Sequence, residues 1–131
     1  MSTEDIISAR RDAAIQKWTD AVYATYPFET TGFIRTQTDQ FANPVGHATR
    51  RAAAVIYDAA TGQDVDMDEV QDAVAGLIRV RAVQDLKPEK AVGVIFLYKP
   101  VLRELFLVDM LAAGDFQKFL DMGDRLDALA L

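Results

Sequence analysis

His47 is the only histidine. A lone imidazole can act as a general base, a proton switch or an axial haem ligand. A zinc site would need several more ligands, the chain contains no cysteine, and no nucleophile motif surrounds His47 from which a catalytic triad could be built. The residue reads as an ordinary surface or half-buried histidine, with haem ligation as its alternative. The run Asp64-Val65-Asp66-Met67-Asp68 has the alternating carboxylates that open a calcium loop. The loop then fails, because its sixth position needs glycine and holds Glu69, and its twelfth needs glutamate and holds Ala75. Carboxylates placed like this suit a helix N-terminus, with Asp66 and Glu69 as a capping box.

The remaining chemistry is charge. Arg79, Arg81, Lys87, Lys90, Lys99 and Arg103 face only Asp85 and Glu89 over residues 79–103, whereas residues 58–72 carry Asp58, Asp64, Asp66, Asp68, Glu69 and Asp72 with no Lys or Arg. Such asymmetry can steer a protein partner or a second copy into register, or can amount to two separately solvated faces. Arg81 and Asp85 stand four apart, the spacing of a helical ion pair, and Gln84 is placed to reach backbone groups before Pro88. An exposed pair of that kind contributes only a few tenths of a kcal/mol, so a large effect on removing Arg81 would mean burial or a ligand. Nothing converges as an acid, base or nucleophile set, and an enzyme is not expected.

These residues need helices to hold them. Ile7, Ala14, Ile15, Trp18, Val22 and Tyr26 recur at three- and four-residue intervals, which predicts one amphipathic helix over 3–26, ended by Pro27. Residues 28–42 read as an irregular connection containing a helical turn, tied to the core by Phe33, Ile34 and Phe41. Asn43-Pro44 is a helix start, and that helix is expected over 44–60, ending at Thr61-Gly62. A third opens at Asp66, buries Met67, Val70, Val74, Leu77 and Ile78, and stops before Pro88. A fourth is expected over 88–113, kinked or split by Pro100. It is the core element, with Val92, Ile95, Phe96, Leu102, Leu105 and Phe106 on a broad apolar face and Val94, Leu97, Val101 and Val108 around it. A last helix from Asp115 turns Phe116, Phe119, Leu120, Leu126 and Leu129 inward. Gly46 and Gly93 lie inside helices, where close helix contact would offset the cost of glycine. The fold class is all-α, one domain over residues 1–131, a compact bundle of five to six helices.

With 131 residues, half of them apolar, the chain can bury roughly two-thirds of its unfolded surface without staples. Its 14 Lys and Arg against 20 Asp and Glu give a net charge of −6, which repels polyanions, so nucleic acid is not an expected partner. The N-terminus lacks a basic leader, and the most apolar stretch, 91–98, falls far short of the ~20 residues that span a bilayer. A cytoplasmic location with no membrane association is the expectation.

The Trp18 helix, the segment Phe41-Ala42-Asn43-Pro44-Val45-Gly46, and the stretch Arg81-Ala82-Val83-Gln84-Asp85 followed by Pro88, Ala91-Val92-Gly93, Phe96-Leu97 and Lys99 resemble the N-terminal domain of RsbRD-type co-antagonists. The resemblance covers about residues 10–106. It implies a sensory or scaffolding domain of bacterial partner-switching systems, which govern alternative sigma factors through a kinase of the RsbT type. Full-length relatives place this domain ahead of a STAS domain carrying the phosphorylated Ser or Thr. The expectation here is the domain standing alone, without phospho-switching. By the same likeness, a globin-like bundle without haem and a homodimer are implied. The interaction or structural motif is assigned to Asn43, Pro44, Gly46, Arg79, Arg81, Gln84, Asp85, Gly93 and Lys99. A small-molecule sensor is the competing reading, with a pocket among Trp18, His47 and Phe96 and an anion held by Arg81 or Lys99. No cofactor is expected.

Overall fold

Ser2 opens the first helix by a reciprocal cap: its hydroxyl accepts from the Asp5 N–H at 3.2 Å, and the Asp5 carboxylate accepts from the Ser2 N–H at 3.0 Å. The computed structural model describes residues 2–26, 43–82 and 93–130. Among these lie six α-helices: α1 (Thr3–Ala9), α2 (Arg11–Tyr23), α3 (Pro44–Ala60), α4 (Met67–Ala82), α5 (Tyr98–Ala112) and α6 (Phe116–Ala130), with a 3-10 turn at Val94–Leu97 before α5. The single helix expected over 3–26 is divided at Arg10, whose backbone leaves helical geometry at φ −101°, ψ 4°. Its guanidinium bonds to the Leu105 carbonyl and pairs with Asp109 at 2.5 Å, so this junction is pinned to α5.

The other starts and stops follow local chemistry. Asn43 caps α3 by accepting from the Gly46 N–H at 2.8 Å, and Pro44 occupies the first helical position. Gly62 and Gly114 take φ of +82° and +78° just past α3 and α5. Each is followed by an N–H that reaches back five residues along the chain, Gln63 to Asp58 O at 3.0 Å and Asp115 to Met110 O at 2.8 Å, which closes a Schellman motif. Asp66 caps α4 through the Asp68 N–H at 2.9 Å.

Pro100 splits the fourth expected element. In an unbroken α-helix its ring would collide with the Phe96 carbonyl. The chain instead passes through the 3-10 turn and enters α5 with Pro100 in the first turn, where a missing N–H costs little. The segment 88–92 of that expected helix, and the connection 28–42 with Phe33, Ile34 and Phe41, lie outside the described residues.

Central α3 packs on α2, α4 and α6, while α5 packs on α2 and α6. Small side chains permit the close approach, since Ala14 of α2 and Ala52, Ala53 and Ala60 of α3 are all buried. Around them Trp18, Ile56, Leu77, Ile95, Phe106, Met110, Met122 and Leu126 form one contiguous core, each large side chain supplying about 1.5–3 kcal/mol of burial. Helical periodicity placed too many residues inward. Met67, Phe96, Val108, Phe116 and Leu120 are exposed, and α6 buries Met122 in place of Phe116 and Leu120. A helix face is buried only where a neighbouring element covers it, and periodicity alone does not say which face that is.

Neither internal glycine serves helix contact. Among the described residues a Cβ at Gly93 would meet nothing within 4 Å, whereas one at Gly46 would overlap the Asn43 side chain. Gly46 therefore makes room for its own helix cap. Asn43→Ala should cost about 1 kcal/mol, read as a lowered urea midpoint, and Gly46→Ala should cost a similar amount by displacing the cap. In the Asn43→Ala background Gly46→Ala should become neutral or stabilising, a non-additivity that separates crowding of the cap from a general loss of packing.

Candidate functional site

The aromatic residues of the interior are held by their polar tips. Trp18 stacks on Tyr98 with centroids 4.9 Å apart and planes within 9°, and its Nε1–H donates to the Val94 carbonyl at 2.9 Å. Tyr98 donates to the Ala53 carbonyl at 2.5 Å and Tyr57 to the Ile7 carbonyl at 2.6 Å. Three side chains thus bridge α2 to the 3-10 turn, α5 to α3 and α3 to α1. Burial raises the phenol pKa of both Tyr57 and Tyr98 well above the ordinary value.

The residues assigned to a pocket are not brought together. Trp18 is fully buried in this stack, whereas Phe96 is exposed with the Lys99 ammonium 5.7 Å from its ring centroid. His47 is exposed and lines an open groove between α3 and α4 with Arg51 and Arg79. A haem would need an apolar slot, and this groove carries cationic side chains instead. Among the described residues no cluster of three or more His, Cys, Asp or Glu could hold a metal ion.

The charge regions are divided by the fold as well. Asp58 accepts both arms of Arg11 at 2.9 and 3.0 Å, and Asp72 pairs with Arg51 at 3.0 Å, so part of the acidic run is already used within the chain. On the basic side, Arg79 is exposed on α4, Lys99 on α5 pairs with Asp127 at 2.7 Å, and Arg81 is buried. Arg81 is therefore not part of a docking surface. Gln84 and Asp85 lie outside the described residues.

Arg81 has the least expected setting. At 2% exposure its guanidinium donates to Thr25 Oγ1 at 3.2 Å and lies 5.2 Å from the Tyr26 ring centroid. Among the described residues neither Arg81 Nε nor the buried Tyr26 hydroxyl makes a hydrogen bond of ordinary geometry, although the guanidinium lies near enough to the phenol to oppose the rise in its pKa that burial causes. In the sequence Tyr26 reads only as the last apolar position of the first helix, and Thr25 has no assigned role. The polar tip of Tyr26 was the one signal that it could do more.

On α5 and α6 lies the other unusual surface. Val108 is 76% exposed and Leu111 59%, with Phe116 and Leu120 exposed beside the turn at Gly114. Between the two helices runs a groove of about 230 Å³, with Lys99 and Arg103 on one wall, Asp124 and Asp127 on the other, and Leu102, Phe119 and Leu120 between.

A model of the family described as the RsbT co-antagonist protein rsbRD N-terminal domain matches residues 12–130, nearly the whole chain. No curated protein and no solved structure gives a match. Among the described residues no helix is long and apolar enough to cross a membrane.

Two outcomes follow from the buried aromatic bridges. Tyr98→Phe should cost about 1 kcal/mol in denaturant, since the stack survives and the Ala53 carbonyl keeps its helical bond. Because Tyr57 and Tyr98 hold their protons more tightly folded than unfolded, their contribution is complete below about pH 10, where unfolded tyrosine titrates, and is lost above it. Phenolate absorbance should therefore lag behind that of free tyrosine and rise together with loss of helical circular dichroism.

Proposed function

The chain belongs to the RsbRD N-terminal-domain family, and we propose that it is a non-catalytic signalling module of a bacterial partner-switching system, a single cytoplasmic domain that acts as a homodimer. The family points to stress-response signalling through changes in partner affinity. What supports the homodimer is the apolar face of α5 and α6. Val108, Leu111, Phe116 and Leu120 stand in water, at a cost that association would remove.

The adjoining groove is suited to a second copy. Its basic wall, Lys99 and Arg103, and its acidic wall, Asp124 and Asp127, belong to the same chain. Lys99 and Asp127 already pair within the chain, so it is Arg103 of each copy that a two-fold axis can lay against Asp124 of the other, which is the self-complementarity that an isologous interface requires. The output to a protein partner would then use surfaces left free on α3 and α4, where Arg79 stands exposed above the groove with His47.

Sedimentation at micromolar concentration should give a dimer. Leu111→Asp places a charge in the centre of the face and should shift the chain to monomer with its helical content intact. A wild-type chain that sediments as a monomer removes the homodimer from this reading. The signalling role is tested separately, by capture of a partner protein in which Arg79→Glu weakens binding while leaving the fold unchanged.

A further inference from the structure

A guanidinium cannot shed its charge at ordinary pH, so a buried one must find acceptors or an anion. Arg81 finds few. Thr25 Oγ1 is a neutral acceptor whose own proton goes to the Val22 carbonyl at 2.6 Å. Among the described residues no carboxylate pairs with Arg81. Arg81 sits in the last turn of α4, where the partial negative charge of the helix end offsets some of the penalty. Among the described residues that leaves Nε without a well-placed acceptor and, close to the same guanidinium, a buried phenol hydroxyl whose interaction is with that charge alone and whose own proton has no acceptor.

We infer that Arg81 and Tyr26, at the C-terminal ends of α4 and α2, form a binding site for a small carboxylate anion. The fork of a guanidinium presents parallel N–H groups whose spacing matches the two oxygens of a carboxylate. Tyr26 supplies a third donor, and a single negative charge neutralises the single positive one. A doubly charged phosphate would leave an excess charge in a buried place, so the site favours carboxylate over phosphate. The inference rests on elements separate from the α5 and α6 face and stands or falls independently of the homodimer.

The test titrates the full chain with sodium acetate against sodium chloride at constant ionic strength, with sodium phosphate as a further arm, following the Arg81 Nε–H resonance and the melting temperature. Acetate should give a saturable shift and a rise in melting temperature that chloride does not, with phosphate weaker. Arg81→Met should melt no lower than wild type in the absence of acetate and should lose the response. Tyr26→Phe should stay folded and bind acetate roughly tenfold more weakly, the worth of one hydrogen bond to a charged group; it decides the matter should Arg81→Met fail to fold. The inference is overturned by no saturable acetate response, by an equal response in the variants, or by tighter binding of phosphate than acetate. An Arg81 Nε–H that is already protected and indifferent to added anion also overturns it, since a carboxylate of the chain itself would then occupy the site.

Discussion

Burying the polar end of an aromatic ring is tolerable only where that end meets a partner, and three such ends hold this bundle together. Trp18, Tyr57 and Tyr98 each carry a large apolar ring into the interior and each spend their N–H or O–H on a backbone carbonyl of another segment. Hydrophobic burial alone is indifferent to small rotations of one helix over another. A directional bond to a particular carbonyl is not, so these contacts set how α1, the 3-10 turn and α5 sit around α2 and α3. The alanines at the α2 and α3 contact allow the approach that makes the reach possible.

Polar groups outside this interior are sorted by the same rule. Arg11 meets Asp58 with both arms, Arg10 meets Asp109 and the Leu105 carbonyl, and Arg125 donates to the Ala60 carbonyl at 3.2 Å. Against that background Arg81 stands out among the charged side chains, buried at 2% exposure with one arm on Thr25 and, among the described residues, no acceptor for its Nε–H. A buried guanidinium without a carboxylate contributes little to stability, and an apolar side chain of similar volume is often tolerated in such a place.

A family of signalling domains needs surfaces more than it needs a reaction centre, and the fold is arranged accordingly. Long apolar residues that a larger bundle would cover stand at the turn between α5 and α6, next to a groove with opposite charges on its two walls. The groove between α3 and α4 is cationic and open. Surfaces of such different character on separate helices are those that the proposed self-association and a separate partner contact would use.

Helix identity was legible in the residues because capping, glycine exits and proline entries are local: Asn43-Pro44, Thr61-Gly62 and Asp66 each act within one turn of their own position. The all-α class and the placing of Trp18, Val22, Leu77, Phe106 and Leu126 in the core followed from periodicity for the same reason. Which apolar residues remain in water was not legible. Phe116, Leu120 and Val108 occupy positions no different in pattern from those of buried neighbours, and their exposure is what separates them. Arg81 shows the point most sharply: its spacing to Asp85 suggests a modest surface pair, yet its burial beside Thr25 and Tyr26 depends on α2 and α4 ending side by side. Local chemistry along the chain determines where helices begin and end, whereas exposure and the fate of a charge are properties of how those helices meet.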